Sequence, residues 1–191
     1  MTQIAVIVGS TREGSFNRAL AKLAIAALEQ QGATVTDVDL ATFDLPIYSA
    51  ALETHAFPAD ALRLKSLFAA QDGLLFVSPE YNGSIPPLLK SAIDWASRPT
   101  GDESLVALTA YRGKASAVMS ASISPFGGLR GLMQLRQILS TIQTLVIPEQ
   151  VVIPNAHTAF ADDGRLKDAL PASLVDMTAA RLVAVARALS A

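Results

Sequence analysis

The sequence predicts a three-layer α/β sandwich built on one five-stranded parallel sheet of order 2-1-3-4-5. Three observations predict it. Short, continuously apolar, β-branched runs alternate with segments whose apolar residues recur at helical spacing, the pattern of successive βα units. The second and fifth runs are polar or broken by Pro, which suits the two edges of a sheet. A chain of 191 residues with 51% hydrophobic content can bury one substantial core, so residues 1–191 are read as a single domain.

Ile4 to Val8 is apolar throughout and ends at Gly9-Ser10-Thr11, as a strand covered on both faces would. From Ser15 to about Gln31, Phe16, Leu20, Leu23, Ala27 and Leu28 recur at helical spacing, and Gly32 supplies a stop. Thr34 to Leu40 mixes Val35 and Val38 with Asp37 and Asp39, an edge-strand pattern. Ala41 to Pro58 reads as loop and Ala59 to Ala70 as helix. Gly73 to Ser78 is the third strand, stopped by Pro79, and Pro86-Pro87 opens a helix to about Ser97, since Pro is tolerated in a first turn. Lys114 to Ser120 is the fourth strand. After Gly127-Gly128, Leu129 to Ile142 carries Leu132, Leu135, Ile138 and Leu139 at helical spacing. Leu145 to Ile153 contains Pro148, which cannot donate to a ladder and places this strand at the opposite edge. Leu170 to Leu189 is an Ala-rich amphipathic helix that would cover one face.

Composition narrows the chemistry. The 15 Lys and Arg against 17 Asp and Glu leave a net charge of -2, without the basic footprint of a nucleic-acid binder. With no Cys, thiolate catalysis, Cys-ligated metal sites and disulfides are excluded, so redox chemistry would need a borrowed cofactor. His55 and His157 are isolated, and no metal site is expected. The N-terminal segment lacks the pattern of a signal peptide and no apolar run reaches membrane-spanning length, so a cytoplasmic address without membrane association is expected. A mean hydropathy of +0.37 is high for such a chain and suggests a homo-oligomer as well as two-sided burial of the sheet.

In the 2-1-3-4-5 order, the loops after strands 1, 3 and 4 converge on one crevice. The first, Gly9 to Asn17, is dense in donors: the hydroxyls of Ser10, Thr11 and Ser15, the amide of Asn17, the Arg12 guanidinium and the helix N-terminal N–H groups could surround a phosphate monoester. In the plainer reading Ser15 is simply a helix N-cap. The glycine spacing matches neither G-x-G-x-x-G nor a Walker loop, which favours a mononucleotide. The second loop, Ser78 to Pro87, is restricted by Pro at both ends, while Asn82-Gly83 permits a tight turn. Its backbone could face a flat ring with N and O acceptors, with Tyr81 as an aromatic wall. Glu80 could bond the ring, the ribityl chain or a neighbouring subunit.

The segments Gly9-Ser10-Thr11-Arg12 with Ser15 and Asn17, Pro79-Glu80-Tyr81-Asn82-Gly83-Ser84 with Pro86, and Leu89 to Arg98 together resemble the NADPH-dependent FMN reductase family, which includes quinone, chromate and azo-dye reductases. The resemblance spans about residues 3 to 145. It implies a flavodoxin-like fold and bound FMN, with the phosphate on Ser10, Arg12, Ser15 and Asn17; Thr11 and Phe16 of the same loop are also expected at the cofactor. Pro79, Glu80, Tyr81, Asn82, Gly83 and Ser84 would line the ring and ribityl chain, and Ser120 would reach the flavin. The implied activity passes electrons from NADPH or NADH through FMN to a small acceptor such as a quinone, chromate, an azo compound or free flavin. Chemistry would reside on the flavin, with no catalytic side chain. Two places depart from the family pattern: Ser91, where Asn is commoner, and the third loop, Ser120 to Arg130, which has few glycines before Gly127.

The helix carrying Leu88, Leu89, Ala92, Ile93, Trp95 and Ala96 is apolar around more of its circumference than one-sided burial needs. The resemblance implies an interface there, in a homodimer or homotetramer. Asp94 and Arg98, spaced i,i+4, are expected to pair with each other. A flavodoxin-like carrier without its own NAD(P)H turnover is the alternative; the small net charge offers little electrostatic steering onto partner proteins. A phospho-receiver would need acidic residues where Gly9-Ser10 stand.

Overall fold

The computed structural model describes residues 1–190. Five strands, β1 (Gln3–Val8), β2 (Thr34–Asp39), β3 (Gly73–Val77), β4 (Ala115–Ala121) and β5 (Leu145–Ile153), pair in parallel in the order β2-β1-β3-β4-β5. The helices are α1 (Phe16–Gln30), α2 (Ala50–His55), α3 (Ala59–Ala69), α4 (Pro87–Ala96), α5 (Leu129–Thr141), α6 (Ala156–Ala159) and α7 (Ala169–Leu189). The expected topology and both edge strands are present. The short helices α2 and α6 have too few residues to show a period and were not legible.

The alternation of strand side chains divides the core into two layers. Ile4, Val6, Val8, Leu75, Val77, Ala117 and Met119 face α1 and α7. Ala5, Ile7, Leu74, Phe76 and Val118 face α3, α4 and α5. β3 is buried at every position, which explains its continuous apolar run. On β5, Pro148 falls where the pairing jumps from Ser116↔Val146 to Val118↔Gln150, so the residue without an N–H sits in the irregularity.

Two expectations need correction. Trp95 is fully buried within its own chain: its indole N–H donates to the Pro46 carbonyl at 2.7 Å, and Tyr48 and Phe57 pack edge-on against it. The segment after β2 thus covers Trp95, a residue of the helix where the resemblance implied an interface. Asp94 accepts from Lys90, one turn earlier, at 2.6 Å, while the Arg98 guanidinium lies 5.4 Å from the Tyr48 ring centre.

Candidate active site

Parallel pairing brings the C-terminal ends of β1, β3 and β4 side by side and then continues one residue beyond them. The Gly9 N–H donates to the Val77 carbonyl at 2.9 Å and the Ser78 N–H to the Met119 carbonyl at 2.9 Å. The three loops therefore leave the sheet from adjacent points. They enclose a cleft of about 280 Å³ lined by Ser10, Arg12, Ser15, Phe16 and Asn17 from the first loop, Pro79 and Tyr81 from the second, and Ala121, Ser122 and Ile123 from the third.

The first loop presents donors that suit an anion. None of the backbone N–H groups from Ser10 to Gly14 has an acceptor among the described residues, and they lead into the N-terminus of α1. Ser15 caps that helix by accepting from the Arg18 N–H at 3.4 Å, so the cap and the phosphate readings are compatible. The Arg12 guanidinium lies 5.7 Å from the centre of the Phe16 ring, which stacks on Phe160. Asn17 is buried and grips the Ala121 peptide at both ends, donating to its carbonyl at 2.8 Å and accepting from its N–H at 2.9 Å. One amide N–H of Asn17 remains for a ligand. Thr11 is exposed and lies outside the cleft lining.

In the second loop, Tyr81 and Ser84 exchange backbone bonds of 2.8 and 3.0 Å around Asn82 (φ 51°) and Gly83 (φ 79°), the positive-φ pair that an Asn-Gly turn supplies. The N–H groups of Asn82 and Gly83 have no partner among the described residues. Tyr81 remains half-exposed at the cleft wall. Glu80 turns away from the cleft: Arg130 Nε donates to its Oε1 at 2.8 Å, a second guanidinium nitrogen donates to the same oxygen, and the Gly131 N–H donates to Oε2 at 3.1 Å. Burial raises this carboxyl, but the bonds from Arg130 and Gly131 outweigh it and hold the pKa below the usual carboxylate value. Ser84 likewise faces α5, its hydroxyl donating to Gln134 Oε1 at 2.6 Å.

Ser120, expected at the flavin, lies outside the residues that line the cleft. Its side chain is wholly buried beneath Gly128, and its hydroxyl has no partner among the described residues. The strand runs to Ala121, so Ser120 points to the α5 face, whereas Ser122 and Ile123, beyond the strand end, reach the cleft. Alternation puts Ser120 on the same face as Val118, and Ser122 departs from that face because the strand, and its alternation, stop at Ala121.

The donor set fits FMN. Free N–H groups, two serine hydroxyls and a guanidinium at a helix N-terminus suit a dianionic phosphate, and a wall with unpartnered N–H groups beside an exposed aromatic face suits a flat heterocycle. Comparisons with known proteins agree. The family model described as NADPH-dependent FMN reductase matches residues 2–158. A quinone reductase of Pseudomonas putida is 36% identical over 167 residues, covering 86% of this chain and 84% of that protein. An NAD(P)H-dependent FMN reductase of Pseudomonas aeruginosa is 38% identical over 164 residues, covering 85% and 83%. The solved structure of FerB, a flavoenzyme NAD(P)H:(acceptor) oxidoreductase from Paracoccus denitrificans, superposes with a TM-score of 0.82 at 30% identity and covers 98% of both chains. With that match over most of its length and the cleft at the ends of β1, β3 and β4, the chain belongs to the NADPH-dependent FMN reductase family.

Proposed function

We propose that the cleft holds FMN with its phosphate in the Ser10 to Asn17 loop and its isoalloxazine ring against Pro79 to Ser84, in a protein that oxidises NAD(P)H and reduces a quinone or a free flavin. The single observation that carries this reading is the convergence of two loops about seventy residues apart in sequence, one rich in anion donors and one a rigid wall, on the same cleft. Bound there, FMN would supply the electron chemistry between a nicotinamide donor and the acceptor. The chain's own residues bind and orient. Among those lining the cleft, the ionisable side chains are Arg12 and Tyr81, so the wall places a fixed positive charge and no carboxylate beside a dianion.

The names of the relatives favour quinones; one at 37% identity, from a Burkholderia, is a 2-hydroxy-1,4-benzoquinone reductase. Chromate and azo compounds belong to the proposed acceptor range on flavin chemistry alone. A cytoplasmic homodimer or homotetramer without membrane or nucleic-acid partners completes the proposal, with Ile123 in the cleft wall and exposed Phe126, Leu129 and Met133 around the start of α5 as the apolar surface that supports self-association. Anaerobic stopped-flow mixing of the FMN-loaded protein with NADPH or NADH is expected to bleach the flavin, and a quinone added next to restore its colour. Persistence of the yellow form with both dinucleotides would favour the electron-carrier alternative.

A further inference from the structure

The loop that lines the proposed ring site is fastened from behind. Pro79 and Tyr81 face the cleft, but the Glu80 side chain between them is only 6% exposed and is taken up by Arg130 and the Gly131 N–H. On the far shoulder of the Asn82-Gly83 turn, Ser84 Oγ donates to Gln134 Oε1 at 2.6 Å, and Gln134 Nε2 donates to the Gly83 carbonyl at 3.1 Å. Arg130 and Gln134 are one turn apart on α5 and share a face. Gly131 lets that face come close, since a Cβ there would lie 3.1 Å from the Ser84 carbonyl oxygen. A buried carboxylate persists only when paired and hydrogen-bonded. Here every Glu80 bond is spent on fixing the loop to the helix.

We propose that Glu80 and Gln134 are positioning residues, two clips that hold the Pro79 to Ser84 loop in its ring-binding shape before a flavin arrives. The proposal rests on the reading that this loop faces the isoalloxazine ring. A prebuilt wall spares the ordering cost of binding. Releasing either clip therefore weakens affinity for the ring and leaves the phosphate contribution alone.

The test compares FMN with riboflavin, which has the ring and ribityl chain but no phosphate, each titrated by fluorescence quenching into the full chain freed of flavin. Glu80→Gln is expected to raise Kd for both ligands by the same factor, about tenfold, and Gln134→Ala to raise both by a smaller common factor. Arg12→Ala should weaken FMN and spare riboflavin. Adding Arg130→Gln to Glu80→Gln should cost little more, because the two residues form one clip. General loosening of the fold would instead disturb the phosphate loop too and weaken FMN more than riboflavin. Unchanged affinity for both flavins in Glu80→Gln, or a loss confined to FMN, would overturn the proposal. If Glu80→Gln does not fold, Arg130→Leu, on the exposed helix surface, carries the same comparison. A wild-type chain that takes up neither flavin would overturn the reading of the site itself, and the clips with it.

Discussion

Ser120 and Gly128 set how closely β4 and α5 approach. A Cβ on Gly128 would lie 1.9 Å from Ser120 Oγ, and the residue sits at φ 93°, so any side chain there meets both a clash and a strained backbone. Gly128→Ala is expected to cost about 3 kcal/mol, read as a lower urea midpoint with an unchanged slope. Ser120→Ala removes a buried hydroxyl that has no partner, so stability should hold or rise slightly and the Kd for FMN should not change. A clear loss of FMN affinity in Ser120→Ala would instead support the flavin contact that the resemblance implies. The contrast shows what was readable at this scale. Serines, a guanidinium and an Asn-Gly turn mark out two loops by their chemistry, but which serine lines the cleft depends on where the strand stops and the chain turns.

Elements are joined at the site by few but specific ties. Asn17, in the first turn of α1, closes both hydrogen-bonding groups of the Ala121 peptide at the end of β4. The resemblance assigned Asn17 to phosphate alone; its larger role is to fix the helix N-terminus over the sheet. Asn17→Ala would leave a buried N–H and C=O without partners, at about 2–4 kcal/mol. The thermal midpoint of the flavin-free protein should drop accordingly, and an unchanged midpoint would refute the tie. Strand and helix identities were largely legible because the 2.0 and 3.6 periods are local properties of the chain. The ties were not, since Asn17 and Ala121, or Glu80 and Arg130, are distant in sequence and no period relates them. Trp95 illustrates the same limit. Trp95 gave its helix an apolar excess because the segment that covers it, from Pro46 to Phe57, is too short and irregular to show a pattern of its own.

Across the whole molecule, paired carboxylates tie stability to pH. Burial raises Glu80 and Glu103, but hydrogen bonds outweigh it, from Arg130 and Gly131 in the first case and from Lys65, Thr109 and Thr100 in the second, so both titrate below the ordinary value of 4.5. A carboxylate depressed in the folded state stabilises it above the unfolded pKa, and that contribution is lost as pH falls through the folded value. Urea midpoints should therefore be flat from neutral pH down to about 5 and then fall, with the fall shallower in Glu103→Gln. A fall as steep as in the wild type would remove Glu103 from the account. Glu103 also ties the segment after α4 to Lys65 on α3, far from the cleft, so this acid loss tracks the fold and not the flavin.

By itself the sequence determined the fold class, the strand order and the two loops that line the cleft, because alternation, edge polarity and turn residues act over a few neighbouring positions. Only the tertiary structure decided that Glu80 serves the loop's backside, that Ser120 is sealed beneath α5 and that Trp95 belongs to the core. Each of those outcomes depends on which distant segment packs against the residue, and burial and pairing are set by three-dimensional neighbours.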